Sequence, residues 1–271
     1  MTHPTAATLQ RADIDSIMRT AHLLADAARV QTLRLFRSPD LRPDNKQSDG
    51  FDPVTEADRA SERAMREILA QERPQDAILG EEYGAQAGTS GLTWVLDPID
   101  GTRAFMSGAP SWGVLIGVND ASGPIYGLID QPYLDERFEG GFGQARVSGR
   151  GRDLPLATRR AVPLAQATLM TTYPEVGSPE EFGAFRRVSS QVRLTRYGLD
   201  CYAYALLAAG QIDLVIEAGL QSYDVAGPIA VVRAAGGIVT DWTGGPAHEG
   251  GRIIAAASGQ LHAEALRLLG G

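Results

Sequence analysis

Residues 94–105 read WVLDPIDGTRAF, and this stretch limits the possible folds more than any other. Trp94–Leu96 has the character of a buried strand, yet it runs straight into Asp97 and Asp100. An unpartnered carboxylate beside a core is expensive, because nothing there replaces its hydration. A positive partner is therefore expected, and the neighbouring sequence supplies few basic side chains. The fold must bury this strand and still bring something cationic to its end.

Size and composition narrow the candidates. The 271 residues exceed the usual single-domain length but lie within the range of compact α/β units. A hydrophobic content of 44% with 21% charged residues supports a sizeable core. The net charge of −8 argues against nucleic-acid binding, which relies on basic side chains. A small phosphorylated molecule stays admissible, because bound metal ions reverse the local sign. The one cysteine, Cys201, forms no intramolecular disulfide and suits a reducing compartment. The first residues lack an apolar stretch of signal-peptide length and no run reaches membrane-spanning length, so the expectation is a soluble cytoplasmic protein without a membrane partner. His3, His22, His248 and His262 are scattered without zinc-site spacing, and no G-x-S-x-G elbow marks a serine hydrolase. Hydrolytic chemistry in this chain has to rest on oxygen ligands.

Periodicity outlines the architecture. Residues 8–36 follow an amphipathic helical pattern through Ile14, Ile17, Leu24, Ala28 and Leu35. A polar loop, 38–53, leads to a second helix that begins at Thr55 and ends before Pro74. Segments 76–80 and 93–97 read as short strands ending in acids. Residues 111–120 and 124–132 read as neighbouring strands, and 137–151 as glycine-rich strand and turn. Further on, strands and helices alternate, with helices expected at 179–190, 200–210, 223–237 and 258–269. Layered helices and sheets fit both halves: a single unit, 1–271, with subdomains of approximately 1–145 and 146–271 sharing one cleft.

Five acids recur at the ends of these elements: Asp58, Glu81, Asp97, Asp100 and Asp224. Hard divalent cations take carboxylate, carbonyl and water oxygens. A tight turn at Pro98 can aim Asp97 and Asp100 at one centre, to which the Ile99 carbonyl adds a neutral ligand. Each acid also has an ordinary reading. Asp58 follows Thr55 at capping-box spacing, Glu81-Glu82 suits a solvated turn, and Asp224 suits a cap on a helix from Val225. Singly, both readings stay open. Asp97 and Asp100 resist the ordinary one, since a plain turn needs no apolar strand feeding two acids.

DPVTEAD (52–58), GEE (80–82), DPIDGT (97–102) and YDVAG (223–227), in this order and at these separations, resemble the inositol monophosphatase-like superfamily from about residue 10 to the C-terminus. The resemblance implies an α/β fold layered as an αβαβα sandwich. It also implies Mg²⁺-dependent hydrolysis of a phosphate monoester, with two or three ions per site, and a homodimer. Carried over by position, Glu81, Asp97 and the Ile99 carbonyl resemble the ligands of a first ion; Asp97, Asp100 and Asp224 resemble those of a second. Glu81 also resembles a residue that touches a third ion through water. Asp58 and Thr102 resemble the pair that orients the attacking water, with the Thr102 hydroxyl donating to Asp58. Gly101 and Thr102 open a short helix whose amides would face the phosphate.

Asp200 and Glu217 fall in the two neighbourhoods that line the alcohol pocket of this superfamily, and Arg103 stands beside it. An acid at Glu217 suits polyol substrates as well. Asp200 is more telling, because enzymes for neutral inositol usually carry a small residue there and a carboxylate suits a cationic alcohol. GTRAFMSGAPSWGVLIG and DCYAYALLAAGQIDLVIEAGLQSYDVAG are most similar to the histidinol-phosphate phosphatase branch. The implied reaction is dephosphorylation of L-histidinol phosphate in histidine synthesis. The alternatives are an inositol-1-phosphatase or broad sugar-phosphate phosphatase and, outside catalysis, a phosphate-ligand-binding protein; a 3′-phosphoadenosine nucleotidase is disfavoured for want of an adenine signature. Asp200 also reads as an N-cap, Arg103 as a surface residue, and Cys201 and Tyr202 as core packing. Two departures stand out: the loop 43–52 is slightly longer than the common pattern, leaving Lys46 unmatched, and Pro228 lies inside a helix. Neither is expected to touch the metal-ligand acids.

Overall fold

Helix α1 (Arg11–Leu35) buries Ile17, Ala21, Leu24, Ala28 and Leu35, the stripe that its periodicity requires. The computed structural model describes residues 9–41, 43–45 and 53–271, so Lys46 and most of the longer loop lie outside the described residues. Strands β1 (Pro43–Asn45) and β2 (Pro53–Thr55) pair antiparallel and lead into α2 (Glu56–Glu72). β3 (Ala77–Gly80), β4 (Gly84–Gln86), β5 (Thr93–Asp100), α3 (Thr102–Met106), β6 (Gly113–Asp120), β7 (Gly123–Gln131), β8 (Glu136–Gly141), β9 (Gln144–Gly149) and β10 (Arg152–Pro155) follow. The strands from β3 onward form one sheet in the order β10-β9-β8-β7-β6-β5-β3-β4, antiparallel except where β3 meets β5. Residue 145 lies inside β9, and the sheet continues to Pro155.

The second half supplies β11 (Thr168–Thr171), α4 (Pro179–Ser189), β12 (Leu194–Tyr197), α5 (Tyr202–Ala208), β13 (Leu214–Leu220), α6 (Ser222–Ala234), β14 (Ile238–Asp241), β15 (Gly251–Ala256) and α7 (Gly259–Gly270). Its sheet runs β12-β11-β13-β15-β14, parallel among the first three strands and antiparallel thereafter. Side-chain alternation gives each sheet two apolar faces. Trp94, Leu96 and Ile116 pack against α1 and α2. Leu115 and Ile129 pack with α5 and α6 toward Val215 and Ile253 of the second sheet. Leu169, Leu214 and Ile254 pack under α4 and α7. The layers are α, β, α, β, α, as expected.

The middle layer is unusually tight. Gly117, Gly127 and Gly140 stand beside one another on β6, β7 and β8, because Gly117 pairs with Gly127 and Gly127 with Gly140. Together they make a trough without side chains, and α6 lies in it. A Cβ on Gly127 would overlap the Gly227 carbonyl oxygen, and one on Gly140 would come within 2.7 Å of the Val231 Cα. Helix α6 is buried on every side from Val225 to Val232, which is why its sequence shows no polar face. Pro228 is its seventh residue, past the first turn, and withholds the amide that regular geometry donates to the Asp224 carbonyl. The missing donor concerns the Asp224 backbone carbonyl and not its carboxylate.

Gly127→Ala is expected to cost about 1–3 kcal/mol by overpacking this trough. Gly183→Ala in α4, where an added Cβ meets nothing, should instead stabilise by about 0.5–1 kcal/mol. Denaturant melts of both variants read the contrast; equal effects would mean that α6 is not seated on the glycines.

Candidate active site

β5 delivers its two acids through a defect in the ladder. Opposite β6, Asp97 pairs with Leu115 and Asp100 with Gly113, so β5 takes three steps where β6 takes two. Positions three apart in a regular strand point to opposite faces; the extra residue turns them to the same side. Pro98, which has no N–H for the ladder, fits inside that bulge. Asp97 is 1% exposed and accepts the Ile99 amide at 3.0 Å. Asp100 accepts the Cys201 amide at 2.6 Å. The third acid comes from α6, which begins at Ser222 rather than Val225, so Asp224 is its third residue and not its cap. There Asp224 accepts the Gln221 amide at 2.6 Å, closing a capping box. Carboxylate oxygens of Asp97, Asp100 and Asp224 lie within 4.8 Å of one another.

Electrostatics at this trio are adverse. Burial, then the charges of Glu81, Asp100 and Asp224, push the Asp97 carboxyl well above the usual range. Burial with Asp200 and Asp224 does the same to Asp100, against the opposing Cys201 bond. Asp224 is pushed up to about 7 by burial, with Glu81 and Glu217 adding and the Gln221 amide opposing. Among the described residues, the charges acting most strongly on the three are all negative. A hard divalent cation fits this donor set, since it takes oxygen ligands and supplies the missing positive charge.

Glu81 follows β3, its amide bonded to the Leu96 carbonyl at 3.2 Å. Glu62 of α2 shapes this turn by accepting the amides of Glu82 at 2.7 Å and Tyr83 at 3.2 Å. Its carboxylate occupies the space of a Cβ at position 80, so the GEE motif needs its glycine. Asp58, pushed up to about 7 by burial, with the Thr55 bonds opposing and Glu82 and Glu81 adding, belongs to the same acidic neighbourhood. It is also the capping-box acid, accepting the Thr55 amide at 2.8 Å and hydroxyl at 2.5 Å. Thr102 corrects one expectation. Its hydroxyl donates to the Ile99 carbonyl at 3.1 Å rather than to Asp58. Thr102 is the first residue of α3, and a threonine there reaches the carbonyl three residues back.

A cavity of about 240 Å³ adjoins the trio. Asp100, Asp224, Asp200 and Glu217 all line it, together with the segment 171–173. Glu217, 6% exposed, accepts the Thr172 amide and hydroxyl at 3.1 and 2.6 Å and the Tyr204 hydroxyl at 3.0 Å. Asp200 is not a cap: Cys201 holds the N-cap position of α5, with no side-chain cap bond. Asp200 instead adopts a left-handed φ of +47° and accepts the Ser111 hydroxyl at 3.0 Å. A Cβ on Gly101, itself at φ +83°, would lie 2.7 Å from the Asp200 Cγ, so glycine is needed there twice over. Arg103 is exposed and donates to the Tyr173 hydroxyl at 2.5 Å, meeting the cavity through that residue.

The structure thus gathers Asp97, Asp100 and Asp224, puts Asp200 and Glu217 on the same cavity, and sets Glu81 where its charge reaches Asp58, Asp97 and Asp224. Cys201 is core packing by its side chain, yet its amide holds Asp100. Glu62, Ser111, Thr172 and Tyr173 were not legible beforehand. Ser111 is 89 residues from Asp200 and Thr172 is 45 from Glu217, distances at which no local spacing pairs them.

Comparison with known proteins agrees with this geometry. The sequence profile described as the inositol monophosphatase family matches residues 13–270. The chain is 40% identical to the chloroplastic bifunctional phosphatase IMPL2 of Arabidopsis thaliana, over 96% of this chain and 77% of that protein. It is 34% identical to a histidinol-phosphatase of Streptomyces coelicolor, over 93% and 96% of the two chains. An inositol monophosphatase structure from Zymomonas mobilis superposes with a TM-score of 0.83 at 40% identity, covering 97% of this chain and all of that one.

The raised carboxyls give a linkage test. Asp58 and Asp224 have folded-state values near 7 against an ordinary 3.8, so the folded state holds the extra protons and loses stability as pH rises. Buried His262, shifted downward, acts in the opposite sense but only below its ordinary value of 6.5. Without added metal, these two groups are expected to lower the melting temperature as pH rises from about 4 to about 7, with the loss levelling off above that. Mg²⁺ should raise it more at the higher pH, because the ligands must shed protons to bind. Differential scanning calorimetry across this window decides; a cation effect that grows toward acid would show that the carboxylates do not share an ion.

Proposed function

The chain belongs to the inositol monophosphatase family of phosphoric monoester hydrolases, and from that premise we propose that its substrate is L-histidinol phosphate, released as L-histidinol and inorganic phosphate. The observation that carries this reading is that Asp100 and Asp224 of the trio and Asp200 line the same cavity. Histidinol phosphate needs both: a seat for its phosphoryl group and an anion for its ammonium. The similarity to a histidinol-phosphatase supports the same choice.

Asp97, Asp100 and Asp224, with Glu81 and the Ile99 carbonyl, are the residues that would hold Mg²⁺. When bound, Mg²⁺ acidifies water, neutralises phosphoryl charge and stabilises the departing alkoxide. The chain's own groups do the rest. Asp58 and Glu81 hold the attacking water and draw its proton; Thr102 fixes the Ile99 carbonyl and the turn that carries it. Water forms the new P–O bond as the P–O bond to the alcohol breaks, and the alcohol oxygen takes up a proton. Gly101 lets the Asp200 carboxylate lie against this turn, so the ammonium end is held close to the reacting end. Glu217, fixed by Thr172 and Tyr204, lines the alcohol side.

A second reading, hydrolysis of inositol 1-phosphate or another polyol phosphate, is favoured by the Glu217, Thr172 and Tyr204 wall, which suits hydroxyl groups, and by the Zymomonas mobilis neighbour. Competing the two esters separates the readings: kcat/KM on inositol 1-phosphate above that on histidinol phosphate reverses the ranking. Turnover of no monoester with Mg²⁺ would return the chain to phosphate binding without catalysis.

Asp97→Asn is expected to lower turnover of every ester by about 10²–10³-fold, since it removes one carboxylate charge from the trio. Asp200→Ala is expected to lower kcat/KM for histidinol phosphate about tenfold or more while leaving inositol 1-phosphate within about twofold. Steady-state kinetics on both esters checks the pair, and an equal decline on both would make Asp200 a structural residue.

A further inference from the structure

The residue given the selective role has an awkward backbone. Asp200 stands at φ +47°, a conformation that side chains rarely adopt and that needs support from its surroundings. Two contacts hold the residue after it: the Cys201 amide donates to Asp100 at 2.6 Å, and the Gln131 side-chain amide donates to the Cys201 sulfur at 3.5 Å. Neither fixes where the Asp200 carboxylate points. One contact does. The Ser111 hydroxyl donates to the Asp200 Oδ2 at 3.0 Å, and among the described residues no donor reaches the other oxygen, Oδ1. Ser111 is 5% exposed and stands just ahead of β6, next to fully buried Trp112 and Gly113. A buried hydroxyl in such a place is a fixed donor rather than one that exchanges with solvent. It also favours the charged carboxylate, opposing the effect of burial.

We propose that Ser111 is a positioning residue for substrate choice: by holding Oδ2 of Asp200 it presents Oδ1 to the cationic part of the alcohol. The inference rests on the histidinol phosphate reading. It adds that selectivity is set 89 residues away from the acid that expresses it. Ser111 touches no substrate in this account; it acts through Asp200 alone.

The test is a double-mutant cycle of Ser111→Ala and Asp200→Ala, with Ser111→Thr as the variant that keeps the hydroxyl. Steady-state kinetics are read on histidinol phosphate and inositol 1-phosphate, and Mg²⁺ affinity by titration calorimetry. Ser111→Ala is expected to raise KM for histidinol phosphate about tenfold with kcat within about twofold, because one hydrogen bond to a charged group is lost. Inositol 1-phosphate kinetics and Mg²⁺ affinity should stay within about twofold, and Ser111→Thr should restore the KM. The double variant should be no worse than Asp200→Ala alone, since both act on one contact. Full additivity, or an equal loss on both esters with weakened Mg²⁺ binding, overturns the proposal. If Asp200→Ala abolishes the preference while Ser111→Ala keeps it, only this inference falls. If Asp200→Ala leaves the preference intact, the substrate reading falls and this inference with it. Should Ser111→Ala fail to fold, Ser111→Cys, which keeps the volume but donates weakly, is read against the same expectations.

Discussion

Two unit charges 4 Å apart repel by about 4 kcal/mol at the effective dielectric of a partly buried site. Asp97, Asp100 and Asp224 hold oxygens within 4.8 Å of one another, and Glu81 adds its charge to two of them. No chain gathers such groups by chance, because each added carboxylate opposes the next. The rest of the molecule can be understood as the apparatus that forces them together. A bulge in β5 turns two of them to one side, a glycine trough lets α6 press the third against them, and amides from Ile99, Cys201 and Gln221 satisfy oxygens that no side-chain cation among the described residues meets.

This division of labour explains which parts of the sequence could be read. The acids were legible because they recur at element ends, where their chemistry makes little sense singly and a great deal together. Most of the longer elements followed from periodicity, with boundaries a few residues off, as where α6 starts at Ser222, whereas the short strands β1, β2, β4 and β10 did not. What resisted reading was contact at long range. Gly117, Gly127 and Gly140 are separated in sequence and share a purpose only once three strands lie in register. Glu62 lies in α2, twenty residues before the turn whose amides it accepts. Local spacing also misled at Thr102: the residue sits where expected, but its hydroxyl serves the nearer carbonyl.

The two readings of several acids turned out to be compatible rather than competing. Asp58 closes the box that starts α2 and still feels the charges of Glu81 and Glu82. Asp224 closes the box that starts α6 and still belongs to the trio. A carboxylate has several acceptor sites, so one oxygen can cap a helix while the other faces the centre. Capping also places these acids well, since a helix N-terminus carries partial positive charge that moderates the repulsion among them.

The same economy links chemistry to choice of substrate. Asp100 and Asp200 are not independent, because the amide of Cys201 bonds to Asp100 while the preceding residue carries the Asp200 carboxylate. The planar peptide between Asp200 and Cys201 thus ties the backbone that carries one carboxylate to the hydrogen bond that holds the other. Gly101, between Asp100 and Thr102, closes this circuit by leaving room for the Asp200 carboxylate on its open side. On the proposed reading, an alcohol held at Asp200 would therefore be linked, through the Asp200 side chain and backbone and one hydrogen bond, to Asp100. Selectivity in such an arrangement is expressed in how the reacting end is aligned as well as in how tightly the far end is held.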